Sequence, residues 1–217
     1  MPGYARTLQR ILVLCGLYAG AALAQETVVP AGPPSPPPTA LAPAMAKVLM
    51  HTTLGDIRLE IEIERAPITA RNFLRYVELK RFDGINFYRA VKLDAEGKYG
   101  MVQGGVRSAP KLALGAIAHE PHAVTGLSHL DGAISMASLG PGTARGDFFI
   151  VVGDLVSLDG NGTPADPGYA VFGRVSDGMA IVRNILEMPR SDAMGDGSMK
   201  GQMLADPVKI LTVRREK

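Results

Sequence analysis

Between Ile57 and Glu64 the chain alternates without a break. Ile57, Leu59, Ile61 and Ile63 are apolar, and Arg58, Glu60, Glu62 and Glu64 are charged. A period of two sends one set to a core and the other to water, which predicts a half-buried strand. Lys47 to Thr53 is a second strand and Leu54-Gly55-Asp56 the turn between them, so the pair forms a hairpin. At Pro67 the pattern changes. Proline is tolerated in the first turn of a helix, and Ile68, Phe73, Leu74 and Val77 follow helical spacing to about Leu79. Further strand-like runs fall at Ile85–Val91, Met101–Gly104, Ala133–Ala137, Phe148–Val152, Tyr169–Val175 and Val208–Val213. A second helix is expected over Met179–Met188, where Met179, Ile181, Val182, Ile185 and Leu186 are apolar. Many short strands with only two helices predict a mainly β fold, a closed antiparallel barrel plugged by helices. An alternating βαβ order does not fit.

The first 46 residues follow neither period. Arg6 and Arg10 precede a run from Ile11 to Leu23 that contains no charge. That run is 13 residues long, short of the roughly 20 that a spanning helix needs. Ala22-Leu23-Ala24 supplies a small-x-small cleavage pattern, so residues 1–24 read as a secretory signal peptide. An uncleaved membrane anchor is the other reading. Residues 25–46 hold seven prolines in 22 positions. With no N–H and a fixed φ, proline forms neither helix nor sheet there, so the segment is an extended, disordered linker. Residues 47–217, 171 in all, are left for one domain with its own core.

Composition narrows the classes. Apolar residues make up 47% and charged residues 20%, which excludes a chain disordered throughout. The single Cys, Cys15, lies in the leader, so no disulfide framework is possible. The net charge is +2, and both excess basic residues belong to the leader. A balanced mature chain argues against a dedicated nucleic-acid binder. His119, His122 and His129 fall near Glu120 and Asp131, but without a metal-binding motif, and they read as surface histidines.

Five stretches occur in one order: Phe87-Tyr88-Arg89, Met101-Val102-Gln103-Gly104-Gly105, Ile134-Ser135-Met136-Ala137, Asp147-Phe148-Phe149-Ile150 and Tyr169-Ala170-Val171-Phe172-Gly173. Together they resemble the cyclophilin family of peptidyl-prolyl cis-trans isomerases, from about Val48 to Val213. The resemblance implies a closed eight-stranded antiparallel barrel capped by two α-helices, with a proline-binding groove on its outer face. It implies that Arg89 is the catalytic arginine. Gln103 would bind substrate backbone and position that arginine. Met101, Phe149 and Leu158 would wall the proline pocket, with Tyr169 and Ala137 beside them, and Phe87, Ser138 and Asp147 complete the expected substrate-binding set. No metal or cofactor is implied. The expected partners are proline-containing polypeptide chains, with no nucleic acid and no stable membrane insertion once the leader is removed, and the expected state is a monomer. A leader followed by a spacer points to export, with the periplasm as destination.

The groove departs from the family pattern in several places. Gly100 stands where a pocket-wall Phe is usual, with Tyr99 as a possible substitute. Ser138 stands for Asn and Asp147 for Gln. The Asp147 carboxylate would either sequester Arg89 or favour substrates with a basic residue near proline. Two rival readings follow. One is a catalytically weak or inactive peptide-binding module on the same fold. The other is a barrel enclosing a small apolar ligand lined by Phe87, Phe148 and Phe172.

Overall fold

The structure, a computed structural model, describes residues 44–216. The leader over 1–24 and most of the linker over 25–46 lie outside the described residues. The first strand, β1 (Met45–Thr52), starts two residues before the domain boundary read at Lys47. It pairs with β2 (Gly55–Glu62) as the expected hairpin, and Ile57, Leu59 and Ile61 are 0–1% exposed, as the alternation requires. Next come α1 (Pro67–Glu78), β3 (Asn86–Lys92), β4 (Gly100–Gly105) and α2 (His122–Thr125). The chain continues through β5 (Ala133–Met136), β6 (Asp147–Val152), β7 (Ala170–Asp177), α3 (Met179–Glu187), β8 (Arg190–Ser191) and β9 (Met203–Arg215).

Strands are ordered β1-β2-β7-β5-β6-β4-β3-β9, and β9 pairs back onto β1, so eight antiparallel strands close a ring with no free edge. The two-residue β8 joins only β9, outside that ring. β9 runs five residues earlier than expected, because Asp206-Pro207 reads as a strand break. Four-residue α2, set between Pro121 and Gly126, is too short to show a helical period.

The two long helices cover opposite ends. Where β4 begins, a Cβ on Gly100 would lie 2.4 Å from the Val91 carbonyl oxygen and 2.9 Å from the Leu186 side chain of α3. At the other end of the β4–β6 pair, a Cβ on Gly146 would lie 2.6 Å from the Tyr76 ring of α1. Under α1 the barrel is filled by aromatic rings. Phe73 lies 5.1 Å from both Phe82 and Phe172 and 5.8 Å from Phe148, and Phe87 lies 5.9 Å from Phe148. Phe87, Phe148 and Phe172 are all 0% exposed. Rings in mutual contact leave no ligand chamber between them, which removes the apolar-carrier reading. Each buried ring contributes about 1.5–3 kcal/mol of transfer free energy.

The start of α1 is held from far along the chain. Ala66 precedes the helix and has no side-chain acceptor, so the first N–H groups lack a local cap. Glu120 supplies it. Its carboxylate accepts from the Ile68 and Thr69 N–H groups at 3.1 and 2.7 Å, and from the Thr69 hydroxyl at 2.7 Å. Negative charge at a helix N-terminus adds to this. Glu120→Ala is expected to lower unfolding free energy by about 1–3 kcal/mol, and Glu120→Gln by less. Urea midpoints of the two variants check the order.

Candidate active site

The outer face of β3, β4 and β6 forms one wall of a groove with a cavity of about 440 Å³. A strand irregularity makes that wall. Phe87 pairs with Gly104 and Arg89 with Gln103, leaving Tyr88 as an extra residue. Phe87 and Ala90 both point into the barrel at 0% exposure, although they are an odd number of positions apart. The bulge thus turns both Tyr88 and Arg89 outward onto the groove. On β4, Val102 faces the core while Met101 and Gln103 face the groove, and Phe149 and Asp147 do the same from β6.

Arg89 is half-buried and held by two glutamines. Its Nη1 donates to Gln103 Oε1 at 2.7 Å, and its Nε and Nη2 donate to Gln202 Oε1 at 2.9 and 2.5 Å. Gln202 is placed by its own carbonyl, which accepts from the Ala90 N–H at 3.0 Å. The network continues in one direction. Gln103 Nε2 donates to the Tyr88 oxygen at 2.9 Å, and the Tyr88 hydroxyl donates to Asp147 Oδ1 at 3.0 Å. That same Asp147 oxygen also accepts from the Arg107 N–H at 3.0 Å.

Beside this network lies an apolar recess made by Met101, Phe149, Leu158 and Tyr169. The Phe149 and Tyr169 rings meet edge to face at 5.4 Å, and Tyr169 N–H donates to the Leu158 carbonyl at 2.9 Å. The floor is braced from behind. His129 stacks on Phe149 at 5.8 Å with planes 8° apart. Its Nδ1 donates to Asp159 Oδ1 at 2.6 Å, and its Nε2 accepts from Ser135 Oγ at 2.9 Å. Asp159 ends the turn that presents Leu158, so one turn supplies both a wall and the brace.

A guanidinium held beside an apolar recess is the arrangement a rotating imide bond requires. The family described as cyclophilin type peptidyl-prolyl cis-trans isomerase matches residues 47–215. The chain belongs to this family of isomerases. It is 34% identical over 177 residues to a peptidyl-prolyl cis-trans isomerase of Acinetobacter baylyi, covering 81% of this chain and 88% of that one. Identity to a Streptomyces antibioticus isomerase is also 34%, covering 77% of this chain and 99% of the other. The fold matches a Cryptosporidium parvum cyclophilin solved in the presence of the dipeptide Ala-Pro. That match has a TM-score of 0.60 at 21% identity and covers 79% of this chain and 99% of the other.

In this cyclophilin nine of the expected site residues line the groove: Arg89, Gln103, Met101, Phe149, Leu158, Tyr169, Ala137, Ser138 and Asp147. Phe87 does not. The bulge begins after it, and its ring belongs to the barrel interior. Two expected weaknesses take a different form. Gly100 lies under Leu186 and against Val91, away from the groove, so it opens no gap in the recess. Tyr99 borders a separate depression with Arg183 and Asp131, so it does not stand in for a wall. Asp147 pairs with the Tyr88 hydroxyl rather than with Arg89.

The histidines also separate. His129 is fully buried, whereas surface exposure was expected, and His119 and His122 bond to the Pro167 and Leu127 carbonyls. Among the described residues no three metal-binding side chains converge. Tyr88, Gln202, Arg107 and Arg145 are among the residues the sequence did not single out. Strict alternation would have turned Tyr88 and Arg89 to opposite faces, and Gln202 lies in a loop with no local pattern.

Burial sets the charge states. It draws the Arg89 guanidinium below its ordinary pKa. It pushes the Tyr88 phenol upward, and the neighbouring Asp147 carboxylate adds to that, so the hydroxyl stays a donor. Burial raises Asp147 above its ordinary 3.8, against the opposing pull of the Arg107 N–H and the Tyr88 hydroxyl. An acid raised on folding costs nothing below its unfolded value and destabilises fully above its folded one. Asp147→Asn keeps an oxygen for Tyr88 and Arg107. It is expected to resist urea better than the wild type at pH 7, with the advantage gone at pH 3.

Proposed function

We propose that this isomerase rotates X–Pro bonds with Arg89 as the catalytic group and Gln103 as its partner in holding the substrate. The bond resists rotation because amide resonance raises a barrier of about 18–20 kcal/mol. No covalent bond has to break. The site has only to bind the twisted bond more tightly than either planar form. Twisting localises a lone pair on the prolyl nitrogen, which an N–H donor stabilises.

The guanidinium carries five N–H groups. Three are committed to the two glutamines, so two remain for substrate. Among the described residues no carboxylate neutralises Arg89, and partial burial strips it of water, so it acts at nearly full charge. The recess of Met101, Phe149, Leu158 and Tyr169 grips the pyrrolidine ring while the preceding carbonyl swings. One Gln103 amide hydrogen is left for the substrate backbone.

The observation that carries this reading is the two-glutamine clamp on an unneutralised Arg89 at the mouth of the recess. It also favours a working enzyme over an inactive binding module, since Asp147 leaves Arg89 free and Gly100 leaves the recess intact. Loss of one such donor typically costs about 10²–10³ in rate. Arg89→Ala is expected to lower kcat/KM on X–Pro peptides by that factor while peptides still bind. Exchange spectroscopy by NMR and a binding titration separate the two effects. Turnover unchanged in the variant would remove Arg89 from the mechanism.

The leader and proline-rich spacer support export, with periplasmic or extracytoplasmic chains as clients whose folding waits on proline isomerisation. Expression of the full sequence in a bacterium with an outer membrane is expected to yield a periplasmic protein beginning at Gln25. Mass spectrometry of the N-terminus reads this directly.

A further inference from the structure

Beyond the recess the groove runs on to an end dominated by two arginines. Gly105 at the end of β4 is the register partner of Asp147 at the start of β6. Arg107 lies two residues beyond the first and Arg145 two residues before the second, so both leave the same end of the strand pair and line the same cavity. Both are exposed, and among the described residues neither guanidinium forms a hydrogen bond or meets a carboxylate. Some arginines elsewhere on the barrel are matched, among them Arg183 to Asp131 and Arg214 to Asp83, but of the described arginines only Arg107 and Arg145 join Arg89 in lining this groove. The groove therefore holds three guanidiniums, counting Arg89, against one carboxylate. That carboxylate is already engaged through Oδ1 by Tyr88 and by the Arg107 N–H.

We propose that Arg107 and Arg145 make this isomerase selective for proline segments that carry an acidic side chain two or three residues from the proline. The inference rests on the reading of the recess as the proline site. Phe149 and Asp147 are two strand positions apart, which is about 7 Å at 3.3–3.4 Å per residue. A peptide with its ring against Phe149 thus brings a residue two or three positions away level with Asp147, at the end of the groove that the Arg107 and Arg145 side chains also line. A carboxylate there meets two unmatched cations. The opposite choice, a basic residue drawn by Asp147, would place a third positive side chain beside Arg107 and Arg145.

The test uses a set of Ala-Pro peptides in which one position, from three before to three after the proline, is Glu, Gln or Lys. Binding is followed by fluorescence anisotropy, and turnover separately by exchange spectroscopy. At one position two or three residues from proline, Glu is expected to bind about tenfold tighter than Lys at low salt, with Gln between them. The ratio should shrink in 0.5 M NaCl, because exposed ion pairs are screened. In Arg107→Glu/Arg145→Glu the order should reverse. Equal binding of the Glu and Lys peptides, or a Glu preference that persists in the double variant, overturns the proposal. Turnover of the Gln peptides without charge preference would leave the isomerase reading standing. Charge preference without turnover would leave the proposal standing and remove that reading.

Discussion

An arginine that is partly buried, charged and, among the described residues, matched by no acid is the constraint around which the groove is organised. A desolvated cation is costly unless donors find acceptors. Here neutral amide oxygens of Gln103 and Gln202 supply them, so the geometry is fixed while the charge is kept. A carboxylate in either place would have fixed the geometry equally well and cancelled the charge. Asp147, the one acid close by, is reached only through Gln103 and Tyr88, and each hydrogen bond in that series points the same way. Such a series polarises its members cooperatively. It also settles which end of the Gln103 amide faces the arginine.

The recess depends on a different polar device. Apolar walls alone do not define one shape, and Phe149 would otherwise rest on packing only. His129 stacked behind it is locked by Asp159 and Ser135. Burial lowers the affinity of His129 for a proton, with the Asp159 carboxylate pulling the other way. Burial pushes Asp159 up, but the hydrogen bonds from His129 prevail and its pKa falls. Both directions make the folded state take up fewer protons than the unfolded chain, so acid loosens the wall of the proline site. Glu120 does comparable work at the other end of the barrel, where it replaces a missing local cap on α1.

Much of the fold is legible in the periodicity. The alternation from Ile57 to Ile61 and the helical spacing after Pro67 report one-sided burial directly, and both elements are present, although β2 ends at Glu62, short of the expected Glu64, and Glu62 itself is buried. Elements whose cause is remote were not legible. The early half of β9 pairs despite Asp206-Pro207 because β3 and β8 lie beside it. For the site, nine of ten named residues share one cavity, on the strength of family resemblance rather than local pattern. The exception, Phe87, and the overlooked Tyr88 have one origin: a period-two reading cannot show an inserted residue. Gln202, Glu120 and the burial of His129 depend on partners far along the chain, so no window of sequence contains them.

The bulge in β3 separates two design problems that an unbroken strand would couple. Without it, an arginine two positions after a core phenylalanine would share the phenylalanine's face and be driven into the barrel. With it, the interior surface from Phe87 to Ala90 and the exterior surface from Tyr88 to Arg89 can drift independently by substitution. A change in spacing has no such freedom. Loss of one residue between Phe87 and Ala90 would restore plain alternation and leave the inward positions in place, but it would remove one of the two adjacent outward side chains on which the groove is built.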